Sequence, residues 1–365
     1  MKIALLGYGT VAKGTIDALK NTDIEVARIL EIRDIPEIAN ISTKDFGDIV
    51  NDPEIKLVAE LIGGLEPAHT FVSEALKHGK HVVSANKQMI SANYAELVNL
   101  AKENNVMFAF TAAAGGGIPW LINLLRFTQA DNAESVYGIM NGTTNFILDA
   151  MQNEGRGFDD VLKEAQKLGY AEADPTADID GLDVRAKLAL SCDVAKSIQI
   201  NPNDIPALGI RFIKEIDVEW FKKNNLNCRL IGRADFADDE VSAYVEPMLF
   251  AQSSLEAGVK GAGNIITAVL KQAGKLGFSG AGAGREATGQ TVANDICDIL
   301  SGSTQFLKAR ARSTITNNPG RVMHKYYVRR GQGVEIVNAS VEEMHSLAKK
   351  AIENGEDCFV ASFAE

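Results

Sequence analysis

KIALLGYGTVAKG, residues 2–14, is a short apolar run that stops at glycine and turns into a helical pattern. Strand, glycine turn and helix in thirteen residues make a βα unit, and the turn Gly7-Tyr8-Gly9-Thr10-Val11-Ala12 carries a GxGxxA fingerprint. Gly7 permits the tight turn, and Gly9 lets a pyrophosphate approach the backbone at the helix N-terminus. Ala12 is small enough for close packing of helix on strand. The fingerprint lies between a strand and a helix, the context that gives it meaning. Gly7, Gly9, Thr10 and Val11 are therefore candidate cofactor-binding residues.

The alternation continues outward from that turn. IEVARILEI (24–32), KLVAELIGG (56–64), KHVVSAN (80–86) and NVMFAFTAA (105–113) read as strands. Between them, FVSEALKHG and YAELVNLAKENN have helical spacing. Strands alternating with helices predict βαβ units and a parallel sheet covered on both faces. The second strand ends Glu31-Ile32-Arg33-Asp34. An acidic residue there binds the ribose 2′-hydroxyl of NAD, whereas Arg33 suits the 2′-phosphate of NADP. Both types are present, and Arg33 tips the reading slightly towards NADP.

Composition narrows the function classes. A chain of 365 residues accommodates two domains, and 46% hydrophobic with 23% charged residues is ordinary for a globular protein. A net charge of −11 argues against nucleic acid as a partner. No apolar run approaches the ~20 residues of a membrane helix, and glycines interrupt the N-terminal run too early for a secretory signal. The expectation is a cytoplasmic protein. Cys192, Cys228, Cys297 and Cys358 are widely spaced, with no CxxC pair, and read as free buried thiols.

The middle of the chain carries unusual polar chemistry. AAAGGGIPW (112–120) has three consecutive glycines before a helix starting near Pro119. VYGIMNGTTNFILDAM (136–151) gives a strand, a polar turn and a helix that Thr143 or Thr144 would cap. YAEADPTADIDGLDVRAK (170–187) gathers Glu172, Asp174, Asp178, Asp180 and Asp183 ahead of Lys187. Asp183 and Lys187 are spaced i, i+4 on the helix predicted from LDVRAKLALSCDVA, so they share a face. The helix is otherwise apolar, which predicts burial of the pair. Burial lowers a lysine pKa and a carboxylate raises it, so such a pair is tunable for proton transfer. Asp174 and Asp180 fit turn chemistry. SGAGAGREATGQTVANDICDIL (279–300) is a second glycine-rich loop followed by a helix.

SANK (84–87), AGGGIP (114–119), GIMNGTTNFIL (138–148), AQKLGYAEADPTADIDGLDVRAKLA (165–189) and GAGAGREAT (280–288) resemble, in order, the motif series of homoserine dehydrogenases. The resemblance runs from residue 1 to about 305. It implies an NAD(P)-dependent oxidoreductase interconverting L-homoserine and L-aspartate 4-semialdehyde, in threonine and methionine biosynthesis. The implied fold is α/β, a Rossmann-type nucleotide-binding domain plus an α+β substrate and dimerisation domain, acting as a homodimer. The expected boundaries are 1–134 for the first, completed by about 281–318, then 135–280 for the second, with 319–365 a short C-terminal extension.

The resemblance also assigns roles. Lys187 takes the proton-transfer position, with Asp183 and Lys87 as further catalytic residues. Glu172, Asp178, Asp183 and Thr143 match substrate-binding positions. The acidic group suits the substrate ammonium, and Lys87 or the NGTTN turn its carboxylate. Lys87 and Gly282 fall near the cofactor. Some members bind sodium through backbone carbonyls at positions matching Thr111, Ala114, Gly116 and Ile118.

Two departures stand out. The family commonly has an arginine directly before the catalytic lysine; here it is displaced to Arg185, which leaves its role open. The ~45 residues beyond the match are too few for the regulatory amino-acid-binding domain of many members. A monofunctional enzyme without threonine inhibition through such a domain is expected. The alternatives are another NAD(P)-dependent amino-acid or semialdehyde oxidoreductase, or a non-catalytic dinucleotide sensor. A semialdehyde dehydrogenase forming a thioester needs a cysteine nucleophile with a histidine base; Cys192 and Cys297 lie in apolar helical stretches instead. A sensor would not need Lys187 and its carboxylates.

Overall fold

A computed structural model describes residues 1–237, 240–311 and 313–364. The chain divides into two compact units, and both are discontinuous in sequence. One comprises residues 1–131, 190–199 and 281–314; the other 132–189, 200–280 and 315–365.

The first unit is built on six parallel strands: β1 (Lys2–Leu6), β2 (Glu25–Leu30), β3 (Ser42–Thr43), β4 (Ile55–Glu60), β5 (His81–Ser84) and β6 (Phe108–Ala109). Their order is β3-β2-β1-β4-β5-β6, the order of dinucleotide-binding doubly wound sheets. Ile3 to Leu6 of β1 are fully buried, as expected for a central parallel strand. Helices α1 (Thr10–Leu19), α2 (Gly47–Val50), α3 (Ala68–Lys77), α4 (Lys87–Glu103) and α5 (Trp120–Phe127) alternate with or follow the strands. NVMFAFTAA yields only the two-residue β6. A 3₁₀ turn at Thr111–Ala113 takes over, because the chain must bend there into the triple-glycine loop.

The second unit carries an eight-stranded sheet. It contains β7 (Ala133–Ile139), β9 (Leu226–Phe236), β10 (Val241–Ala251), β11 (Gly263–Leu270), β12 (Gly274–Ala281), β14 (Met323–Arg330), β15 (Gly333–Ser340) and β16 (Cys358–Phe363). The order is β12-β11-β7-β9-β10-β16-β14-β15, so the C-terminal stretch continues the sheet rather than leaving it. Helices α6 (Gly142–Glu154), α7 (Phe158–Lys167), α8 (Thr176–Ile179), α10 (Glu215–Lys223) and α12 (Val341–Glu353) belong to this unit. The short strands β8 (Ile198–Gln199) and β13 (Ser313–Thr314) pair in the first unit.

Helix α9 (Leu182–Lys196) crosses the division between units after Ala189. Its N-terminal half lies close on β9, where a Cβ at Gly232 would come within 2.8 Å of Val184. Helix α11 (Arg285–Leu300) packs on α1 in the first unit. Any side chain at Gly14 would strike the Arg285 carbonyl at 2.1 Å, and one at Gly289 the Gly14 carbonyl carbon at 2.5 Å. Two helices separated by some 270 residues thus meet backbone to backbone. The four cysteines are free, with Cys192, Cys228 and Cys358 buried. No helix among the described residues is long and apolar enough to cross a membrane.

Candidate active site

In the first unit, Gly7 has φ +93°, a left-handed conformation open to glycine. Gly9 is the N-cap of α1 with no side-chain cap, and its Cα side is open, with nothing within 4 Å of an added Cβ. The exposed Gly9 and Thr10 leave the first N–H groups of α1 available to an anion. Glu31, buried at the end of β2, accepts from the Tyr8 N–H (3.1 Å). It also holds the Arg33 guanidinium through Nε (2.9 Å) and an Nη (2.7 Å). The Arg33 side chain, helped by the Arg33 and Tyr8 N–H groups and against burial, pushes the Glu31 carboxyl down to about 2. The acidic and basic candidates at the strand tip are thus one ion pair.

SANK is tied to the neighbouring strand end. Buried Glu60 accepts from the Ser84 hydroxyl (2.5 Å) and from the Ile62 and Gly63 N–H groups. Asn86 caps α4 by accepting from Met89 N (3.1 Å), which makes half-buried Lys87 its first residue. In the triple-glycine loop, Gly115 and Gly116 have φ +99° and +57°. Gly117 N donates to Ala281 O (2.9 Å), and a Cβ on Gly116 would meet the Gly282 carbonyl at 2.4 Å. The two glycine-rich loops therefore touch, which places Gly282 beside Gly116. Thr111 N donates to Asp295 of α11 (3.0 Å). Burial pushes the Asp295 carboxyl up to about 7.

The second unit assembles Lys187. Its Nζ donates to Met140 O and to Asp183 Oδ2, both at 2.7 Å, and the residue is 8% exposed. Asn141 Nδ2 donates to Asp183 Oδ2 (2.8 Å) and to Asp178 Oδ1 (2.7 Å). Its own Oδ1 accepts from Thr144 N (2.8 Å). Asn141, not Thr143 or Thr144, is therefore the cap of α6, because only the residue before Gly142 has the extended backbone of an N-cap. The same side chain orients two carboxylates, a role that sequence reading missed. Its signal was an Asn-Gly step at a strand–helix junction. Thr143 donates its hydroxyl to Tyr170 O (2.5 Å).

Glu172 is exposed, and among the described residues its carboxylate makes no hydrogen bond or ion pair. Asp174 accepts from Thr176 N (3.0 Å), a local turn, and Asp180 holds Arg211 in a two-bond fork at 2.8 Å each. The geometry thus joins Asp178, Asp183 and Lys187 through Asn141 and leaves Glu172 outside that network.

Comparison with known proteins matches the chain, over most of its length, to one family. A family model described as the homoserine dehydrogenase NAD-binding domain matches residues 7–111, and one described as homoserine dehydrogenase matches 119–297. The chain belongs to the homoserine dehydrogenase family. It is 36% identical over 317 residues to homoserine dehydrogenase of Synechocystis, covering 82% of this chain and 73% of that protein. A solved homoserine dehydrogenase from Thiobacillus denitrificans aligns with TM-score 0.88 at 30% identity, covering 100% of this chain and 98% of that one. A hyperthermophilic archaeal homoserine dehydrogenase, described in complex with NADPH, shares the fold with TM-score 0.70 at 24% identity. It covers 82% of this chain and 97% of that one. The protein is thus an NAD(P)-dependent oxidoreductase that interconverts L-homoserine and L-aspartate 4-semialdehyde, a step towards threonine and methionine.

Proposed function

We propose that Lys187 is the proton-transfer group of this homoserine dehydrogenase. The carrying observation is the 2.7 Å contact of its Nζ with Asp183, with both side chains only 10% exposed. A carboxylate at that distance holds an ammonium. Lys187 therefore enters the reductive direction as a proton donor. In that direction Lys187 Nζ would give its proton to the carbonyl oxygen of the semialdehyde, which becomes the hydroxyl of homoserine. In the oxidative direction the neutral Lys187 amine would take the hydroxyl proton of homoserine. The nicotinamide supplies the hydride chemistry; the protein orients the reactants and manages the proton.

Asp178 and Glu172 are assigned to the substrate ammonium, and Thr143 with Lys87 to its carboxylate, on charge complementarity. Thr143 would serve a carboxylate by turning its one hydroxyl proton from Tyr170 O to the substrate. The cradle at Gly7, Gly9, Thr10 and Val11 holds the pyrophosphate, with Gly282 and Lys87 at the cofactor as in the resemblance. Either cofactor is accepted and NADP is favoured, since the exposed Arg33 guanidinium can turn from Glu31 to a 2′-phosphate. A sodium ion would be held by the carbonyls of Thr111, Ala114, Gly116 and Ile118, hard neutral oxygens on a loop that glycines bend. Ile118 O accepts from Trp120 N, which leaves it one lone pair for an ion. The functional form is a homodimer in the cytoplasm, which sedimentation and fractionation would test.

The test mixes the protein with aspartate semialdehyde and NADPH and follows nicotinamide absorbance. Lys187→Ala is expected to lower kcat by about 10²–10⁴; near-normal turnover removes the assignment. Arg33→Ala should raise KM for NADPH far more than KM for NADH. Equal effects on the two would reject Arg33 as the phosphate group.

A further inference from the structure

The displaced arginine of the DVRAK stretch faces a cavity that the catalytic reading does not use. Within the second unit, a cavity of about 650 Å³ lies between α9, residues 203–212, helix α12 and strand β16. That size suits a small organic ligand. Much of its wall is apolar, including Leu208, Ile352 and Val360.

Its charges are mostly spoken for. Asp180 and Arg211 form a two-bond pair. His345 contacts Glu246 at 3.0 Å. Lys349 and Glu353, both largely exposed, lie 4.0 Å apart. Arg185 differs. Among the described residues its guanidinium meets no carboxylate, and its side-chain hydrogen bond goes to the neutral Asn203 Oδ1 at 3.2 Å. It is half-buried, and burial pushes its pKa down. A guanidinium has five donors, so most of its bonding capacity and its whole charge stand uncompensated on a partly desolvated wall. Leaving a charge so placed is costly, and an anion in the cavity would offset that cost. Two residues from Asp183 and two from Lys187, Arg185 points about 200° around the helix from each. The cavity is therefore behind the catalytic face of α9.

We infer that this cavity is a second ligand site, for a small monocarboxylate with an apolar body, whose carboxylate is bound by Arg185. The inference does not depend on the assignment of Lys187.

The test titrates the full chain with 3-phenylpropanoate by calorimetry, with 3-phenylpropan-1-ol as the uncharged match. Saturable one-to-one binding of the acid is expected, at least tenfold tighter than the alcohol. Arg185→Gln should weaken the acid by about ten- to a hundredfold while homoserine turnover and Tm stay at wild-type values. Arg185→Lys should recover part of the affinity. Ser346→Trp, on the exposed wall of the cavity, should block binding without touching Arg185, and so covers the case in which Arg185→Gln fails to fold. Homoserine and NADP in excess should not displace the acid. No saturable binding, equal binding of acid and alcohol, unchanged affinity in a folded Arg185→Gln, or displacement by homoserine would each overturn the inference.

Discussion

Asn141→Ala tests whether one amide holds the lysine site together. Asn141 is 4% exposed and makes three hydrogen bonds. Losing the cap of α6 costs about 1 kcal/mol. Each bond to a carboxylate is worth about 1.5 kcal/mol at the low end for charged partners. The sum is about 4 kcal/mol, and water entering beside the half-buried Asp178 reduces it to about 3. At roughly 2–4 °C per kcal/mol for a unit of this size, Tm should fall by about 6–12 °C. Function should suffer beyond stability. Asn141 fixes the Asp183 oxygen that also binds Lys187, so kcat should drop about tenfold or more while KM for NADPH stays constant. Asn141→Asp separates the two roles. It keeps the cap acceptor but sets a third carboxylate against Asp178 and Asp183, where neighbouring like charges resist joint ionisation. This variant should regain stability as pH falls towards 5. The assays are thermal melts and steady-state kinetics below the melt of each variant. An Asn141→Ala protein with wild-type Tm and wild-type kcat would refute the reasoning.

Asp295→Asn should flatten a pH slope. Asp295 binds its proton more tightly folded, at about 7, than unfolded, at about 4. The stability it contributes is therefore full below pH 4 and lost as pH rises through 7. Relative to the Asn variant, wild type should weaken from pH 5 to pH 8 by about 2.6 kcal/mol, read from urea midpoints; identical slopes would contradict the assignment. Gly116→Ala combines a left-handed φ with a Cβ 2.4 Å from Gly282 and should cost about 3 kcal/mol. Gly261→Ala, also left-handed at φ +54° but with no neighbour within 4 Å, should cost only about 1 kcal/mol; equal losses in thermal melts would mean that the loop contact is unimportant. Arg329→Met removes the fully buried partner of buried Asp217, whose Nε contact is 2.7 Å. It should cost about 3–5 kcal/mol, and adding Asp217→Leu should return much of it in denaturant titration.

What was legible in the sequence was local. The βα turn at Gly7 and Gly9 needs only adjacent residues, and the parallel sheet follows from alternation over the first 110 positions. The Asp183–Lys187 pair is one helical turn apart, so spacing alone put it on one face. Other features depend on partners far along the chain. The cap of α6 had several polar candidates within four residues, and backbone geometry rather than residue type chose Asn141. Asp295 sits inside an apolar helix and gains meaning only through Thr111, 184 positions away. The strand β16 is short and apolar, and its pairing with β10 and β14 is a tertiary choice. Asn141 was missed because its two carboxylates lie 37 and 42 residues away.

The glycine-to-glycine crossing of α1 and α11 sets a timetable for the growing chain. The first unit holds residues from 1 to 131 and also those from 281 to 314. At roughly 5–20 residues per second of synthesis, α1 waits on the order of fifteen to sixty seconds for the helix that covers it. Throughout that interval the buried face of α1 has no final neighbour, and a glycine surface offers little apolar area to hold a substitute. A nascent chain arrested near residue 200 should accordingly be more protease-sensitive at α1 than at β1 or β4, whose sheet partners have already emerged.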